Sequence, residues 1–122
     1  MLINFLELAG HVELSYSVKY KSYDIVVRQL IPTKLSLHPW FSCYINNDIG
    51  FTEEVLDSIP AWCGVTYNSV YSNSWVKSSL TNRWVIGWDY NHNVESEYEK
   101  SVQDIINDAY KVIDYLEITL TN

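Results

Sequence analysis

The chain has 122 residues, 48% hydrophobic and 19% charged, which suits one globular domain (residues 1–122) and excludes a disordered segment. A net charge of −7, with eight basic residues scattered along the chain, argues against direct nucleic-acid binding, which needs Lys and Arg clustered against phosphates. Two cysteines are too few for a disulfide framework, and no apolar run approaches the ~20 residues of a membrane span.

The first seven residues lack the basic stretch of a secretory signal and meet Glu7 early, so a cytoplasmic protein with both thiols reduced is expected. Residues 12–21 place Val12, Leu14, Tyr16, Val18 and Tyr20 on one face and only polar or charged residues on the other. That period of two predicts a half-buried strand of an antiparallel sheet. Residues 23–30 form a second strand, making a hairpin across Lys21 and Ser22, although that turn has no Gly. Pro32 ends it, because proline cannot donate to a ladder.

Residues 35–47 are short and mixed in pattern, an extended piece interrupted at His38 and Pro39. Residues 52–59 predict a short helix, with Thr52 as its N-cap, Glu53 and Glu54 in its first turn and Pro60 as its stop. Two β-rich segments follow, 62–71 and 83–90, joined by the polar stretch 72–82 as a long hairpin connection. Tyr98, Val102, Ile105, Ile106, Ala109, Ile113 and Leu116 then recur at helical spacing. Ser96 and Glu99 fit a capping box at that helix's start, and the alternation over 117–121 suggests a final edge strand. The expected architecture is α+β: an antiparallel sheet of four to six strands with one long C-terminal helix packed across one face.

The chain has no Gly-rich phosphate loop, no G-x-S-x-G elbow, no H-E-x-x-H and no paired C-x-x-C. Three local sets remain. In residues 83–92, Trp84, Ile86 and Trp88 alternate on one face, Gly87 suggests a bulge or a close approach, and Asp89 and His92 arrive as the strand ends. The plain alternative is that Asp89 caps a turn and His92 is an exposed loop residue. The second set is the turn His38-Pro39-Trp40. The third is residues 62–68, where Gly64 breaks a strand beside the Cys63 thiol and the Thr66 hydroxyl. A free cysteine is usually a small buried hydrophobe, so Cys63 need not be chemical.

His38, Cys63, Asp89 and His92 supply the side-chain types of a transition-metal site, although their spacing matches no metal pattern. They define one reading, a small metal-assisted or cysteine-dependent hydrolase. A different reading treats the Trp, Tyr, Asn and Ser density over 40–93 as a recognition surface. Aromatic rings stack on planar ligands such as bases, and Arg28 or Arg83 can meet a phosphate. The alternative there is a sheet with an aromatic core.

The three sets, in this order, resemble a family of small phage and prophage accessory proteins of unassigned function. Its pattern runs from a His-Pro-aromatic turn, through a His-Gly-Gly-Leu-Thr-Tyr-like strand, to Trp-x-x-Gly-Phe-Asp-x-x-His. Here the turn is His38-Pro39-Trp40, the strand Cys63-Gly64-Val65-Thr66-Tyr67, and the last motif Trp84-Val85-Ile86-Gly87-Trp88-Asp89-Tyr90-Asn91-His92. Cys63 stands where the pattern has His and Val65 where it has Gly, and Asn93-Val94-Glu95 replaces the usual Gly-Asp. The resemblance implies a viral accessory protein in a bacterial cytoplasm.

The resulting expectation is a phage-encoded binding protein, without catalysis, that counters host defence. It would sequester a nucleotide-type or cyclic-nucleotide signal, or occlude a defence protein such as a CRISPR effector. The signal version predicts a pocket of Trp40, Tyr67, Arg83, Trp88, Asp89 and His92, with no metal and no cofactor, in which alanine at Trp88 or Asp89 removes binding and leaves the fold intact. The occlusion version predicts an exposed acidic face at Glu53, Glu54 and Asp57, or at Glu95, Glu97 and Glu99. A virion assembly protein is a third reading. The aromatic content also suits self-association, since homodimer interfaces are comparatively apolar.

Overall fold

A computed structural model describes residues 2–8, 11–32, 39–92 and 94–121. His38, one member of the second set, lies outside the described residues, whereas Pro39 and Trp40 of that set are described. The strands are β1 (Leu2–Leu8), β2 (His11–Tyr20), β3 (Tyr23–Pro32), β4 (Trp40–Asn46), β5 (Tyr67–Val70) and β6 (Trp84–Asp89). They form one six-stranded sheet in the order β1-β2-β3-β4-β6-β5, with every neighbouring pair antiparallel. Helix α1 (Glu53–Ser58) follows β4, and α2 (Glu95–Tyr98) and α3 (Val102–Thr121) follow β6. The architecture is α+β, with α3 packed on the sheet.

The hairpin β2–β3 pairs Tyr20 with Tyr23, so two residues make the turn. Lys21 takes the left-handed conformation that Gly usually supplies, at φ 53°. Its ammonium bonds Asp114 at 2.7 Å, which also ties the turn to α3. Helix α1 begins as its sequence predicts, with Thr52 Oγ1 accepting from Val55 N.

The inner face of the sheet carries Ile25, Val27, Cys43, Ile45, Ile86 and Trp88, all buried under Ile105, Ile106, Ala109, Val112, Ile113 and Leu116 of α3. Burying one such aliphatic side chain fully is worth roughly 1.5–3 kcal/mol. The start and end of this helix differ from the sequence reading. The chain breaks between Tyr98 and Val102, and the capping box is Ser101 with Asp104: Asp104 N donates to Ser101 Oγ and Ser101 N donates to Asp104 Oδ2. Tyr98 therefore belongs to the short α2, and it is exposed. The tail is no edge strand, because helical bonding continues to Thr121.

The outer face corrects a second expectation. Strand β2 turns Glu13 and Ser15 outward, yet both are fully buried while Val12 and Leu14 are only half-buried. The cause is the connection 71–83 between β5 and β6, which folds back over this face. Tyr71 and Leu80 of that connection pack with Val26, Tyr44 and Val85. Trp75 lies over Arg28, its ring 4.0 Å from the guanidinium carbon. Beneath this cover Arg28 Nε donates to Glu13 Oε1, Arg28 Nη1 to Tyr44 Oη at 3.3 Å, and Val76 N to Glu13 Oε2 at 3.2 Å. In register, Asn4, Ser15, Arg28, Ser42 and Asp89 stand side by side on neighbouring strands, a polar row across the sheet.

Gly87 answers the question its position raised. A Cβ there would fall 2.5 Å from Tyr44 Cδ1 and 3.0 Å from the Cys43 carbonyl oxygen. The glycine lets the Tyr44 ring lie flat against β6, where Tyr67, Tyr71 and Trp75 hold it at centroid distances of 5.3–5.5 Å. With the ring wedged on three sides, Gly87→Ala is expected to cost about 1–3 kcal/mol. Urea denaturation measures this, and an unchanged midpoint would mean that Tyr44 yields freely.

Candidate functional site: an aromatic cleft on the outer face

Beyond the edge of the 71–83 cover, β4, β6 and the segment entering β5 leave a cleft of about 460 Å³. Alternation along β4 turns Trp40, Ser42 and Tyr44 to this side, and pairing sets Ser42 opposite Asp89 and Tyr44 opposite Gly87. Tyr67 faces Gly87 from β5, and Thr66 and Asn91 close the rim. The walls are thus aromatic and the remaining groups are neutral hydroxyls, an amide and one carboxylate.

Asp89 is held from two directions. Thr66 Oγ1 donates to Oδ2 at 3.2 Å and Asn91 N donates to Oδ1 at 3.2 Å. His92 Nε2 lies 3.5 Å from Oδ1. The other ring nitrogen of His92 meets Glu97 Oε2 at 2.7 Å, and Glu97 also accepts from His92 N at 2.7 Å and from Trp62 Nε1 at 2.8 Å. Burial pushes the Glu97 carboxyl up, but the bonds from His92 and Trp62 outweigh it and hold the group below its usual range. Since a carboxylate only accepts, Nδ1 of His92 carries the proton, and in the neutral imidazole Nε2 is left as an acceptor. Glu97 therefore fixes the ring's orientation beside Asp89.

Ser42 forms the floor. It lies close enough to Tyr44 to draw that phenol's pKa down against the stronger upward push of burial. Its own Oγ, in a residue 3% exposed, makes no hydrogen bond of strict geometry among the described residues. A buried hydroxyl without a partner is costly unless something polar completes it.

The sequence-predicted residues divide accordingly. Trp40, Tyr67 and Asp89 line the cleft together. Trp88 borders it, but its indole is in the helix-covered core, 1% exposed, donating to Tyr90 Oη at 3.0 Å. His92 stands behind Asp89 rather than among the lining groups. Arg83 sits apart, bonded to Asp24 and Asp48 at 2.9 Å each, and Arg28 is committed to Glu13. The acidic face proposed at Glu95, Glu97 and Glu99 loses its middle member, because Glu97 is buried; Glu53, Glu54 and Asp57 are all exposed.

Ser42, Tyr44 and Asn91 were missed as site residues. Reading residues 40–46 as a strand would have found the first two, since Trp40 sets their phase. Cys63 is exposed on a turn at φ 55°, beside Gly64 at φ 87°. Among the described residues no three His, Cys, Asp or Glu side chains gather as a metal-ligand set. Burial raises the Cys43 thiol far above its ordinary range, which leaves it a packing group. Concavities of about 400 and 470 Å³ lie beside the 73–77 segment and beside Lys21, but neither gathers the predicted residues. No helix of the described residues is long and apolar enough to cross a membrane.

Comparison of the chain with protein-family models, curated proteins and solved structures gives no match.

Proposed function

We propose that this chain is a phage-encoded protein that blunts host defence by binding a nucleotide-type signal in the outer-face cleft, without catalysing its turnover. The observation that carries this reading is the pairing of aromatic walls, Trp40, Tyr44 and Tyr67, with the reachable Asp89 carboxylate in one cleft. Flat aromatic walls with hydrogen-bonding groups at the floor and rim suit a base, whose faces stack and whose edge bonds. The cleft encloses about 460 Å³, and among the described residues no cationic side chain lines it. The ligand's base therefore enters, and its phosphate stays at the mouth, away from Asp89.

Native mass spectrometry of protein from a bacterial cytoplasm, before and after denaturation, tests for a retained nucleotide. Titration with purine and pyrimidine monophosphates, followed by tryptophan fluorescence, tests the site. Trp40→Ala should weaken binding by about tenfold or more, as loss of one stacking ring does. If no nucleotide is retained and none binds at about millimolar concentration, the reading fails. The exposed acids Glu53, Glu54 and Asp57 then favour the second reading, in which a basic protein surface of the host defence is the partner.

A further inference from the structure

We infer that the cleft selects guanine among bases, with the Asp89 carboxylate reading the two adjacent N–H groups of the guanine edge. This rests on the reading of the cleft as a nucleotide site and adds which nucleotide it takes.

The inference starts from charge and geometry. A carboxylate has two acceptor oxygens and matches a ligand that offers two parallel N–H donors. Guanine places N1–H beside its N2 amino group. Adenine sets a ring acceptor next to its amino group, cytosine does the same, and uracil flanks one N–H with two carbonyls. Only guanine, in its neutral form, presents two neighbouring donors to Asp89. The other three bring at least one acceptor against a negative oxygen, which repels.

Asp89 is prepared for this task. Its side chain is 31% exposed at the cleft, so it is reachable. Thr66 and Asn91 brace both oxygens at 3.2 Å, which sets the plane of the carboxylate before a ligand arrives. The His92 ring, held by Glu97 at 2.7 Å, stands behind Asp89 with Nε2 3.5 Å from Oδ1 and so leaves the cleft side of the carboxylate open. Selection through a bidentate pair of this kind is worth about 1–3 kcal/mol, which is roughly 5- to 150-fold.

The experiment titrates the unmodified protein and Asp89→Asn with GMP, IMP and AMP at one ionic strength. All three carry the same phosphate, so its contribution cancels. IMP keeps N1–H and lacks the N2 amine, which isolates the second bond. Expected is GMP tighter than both by about tenfold or more, and a collapse of that preference in Asp89→Asn with its melting temperature nearly unchanged. AMP or IMP binding as tightly as GMP overturns the guanine assignment while the cleft stands as a base site. A GMP preference that survives in Asp89→Asn overturns the role of Asp89. Failure of all three to bind the unmodified protein removes the cleft reading and this inference with it.

Discussion

Replacing Arg28 with methionine is expected to destabilise the fold by about 3–5 kcal/mol, which urea denaturation will read as a lowered midpoint. Glu13 is fully buried, and apart from Val76 N its bonding partner is the Arg28 guanidinium. Once the cation is gone, an anion is left in an apolar layer roofed by Trp75. A carboxyl in that position takes up a proton more readily in the folded than in the unfolded chain. Its folded pKa is then raised, so the folded state binds more protons and the variant should recover stability as pH falls. Replacing both partners, as Glu13→Leu with Arg28→Met, should restore most of the loss, because neither charge remains to be solvated. A double variant no more stable than Arg28→Met alone would mean that packing against Trp75, rather than charge, is what Arg28 supplies.

Trp88→Ala is expected to lose a similar amount, about 3–5 kcal/mol, and to lower the melting temperature by roughly 10–20 °C. The indole is the largest of the fully buried side chains and fills the space between β4, β6 and α3. Its Nε1 donates to Tyr90 Oη, which in turn donates to Asp108 Oδ2 at 2.8 Å, so the cut also loosens a link between the sheet and the helix. Calorimetry or thermal circular dichroism will measure it. This replaces the sequence-based expectation that alanine at Trp88 spares the fold. Trp40 is the appropriate tryptophan for testing the cleft. A Trp88→Ala protein that melts within a few degrees of the parent would place the indole's weight elsewhere.

How far the fold was legible follows from which contacts are local. The β2–β3 hairpin and α3 were readable because their signals, alternation and a 3.6-residue stripe, lie within ten to twenty consecutive residues. Strand β1 was not recognised, since Leu2–Leu8 reads as a mixed apolar segment until β2 is beside it. The burial of Glu13 and Ser15 was beyond reach for a different reason. Their side of β2 is polar, and what covers it arrives from residues more than fifty positions later. Within the site, the phase of β6 correctly separated Trp88 from Asp89 onto opposite faces. The reading nevertheless put both in one pocket, because proximity in sequence was taken for proximity in the cleft. Arg83 failed similarly: it lies one residue before β6, at the end of that strand farthest from Asp89.

The sheet is complete in sequence before its main cover begins. All six strands lie within residues 2–89, and the helix that closes the inner face starts at Val102. During synthesis the meander β1-β2-β3-β4 can therefore pair while Ile25, Val27, Cys43 and Ile45 still look onto water, and only the passage of α3 ends that exposure. While the chain is made there is thus an interval before α3 emerges in which that apolar face lacks the helix that covers it. Slow codons or a stalled ribosome near residue 100 would lengthen it, and a chaperone that holds apolar sheets would find its client there.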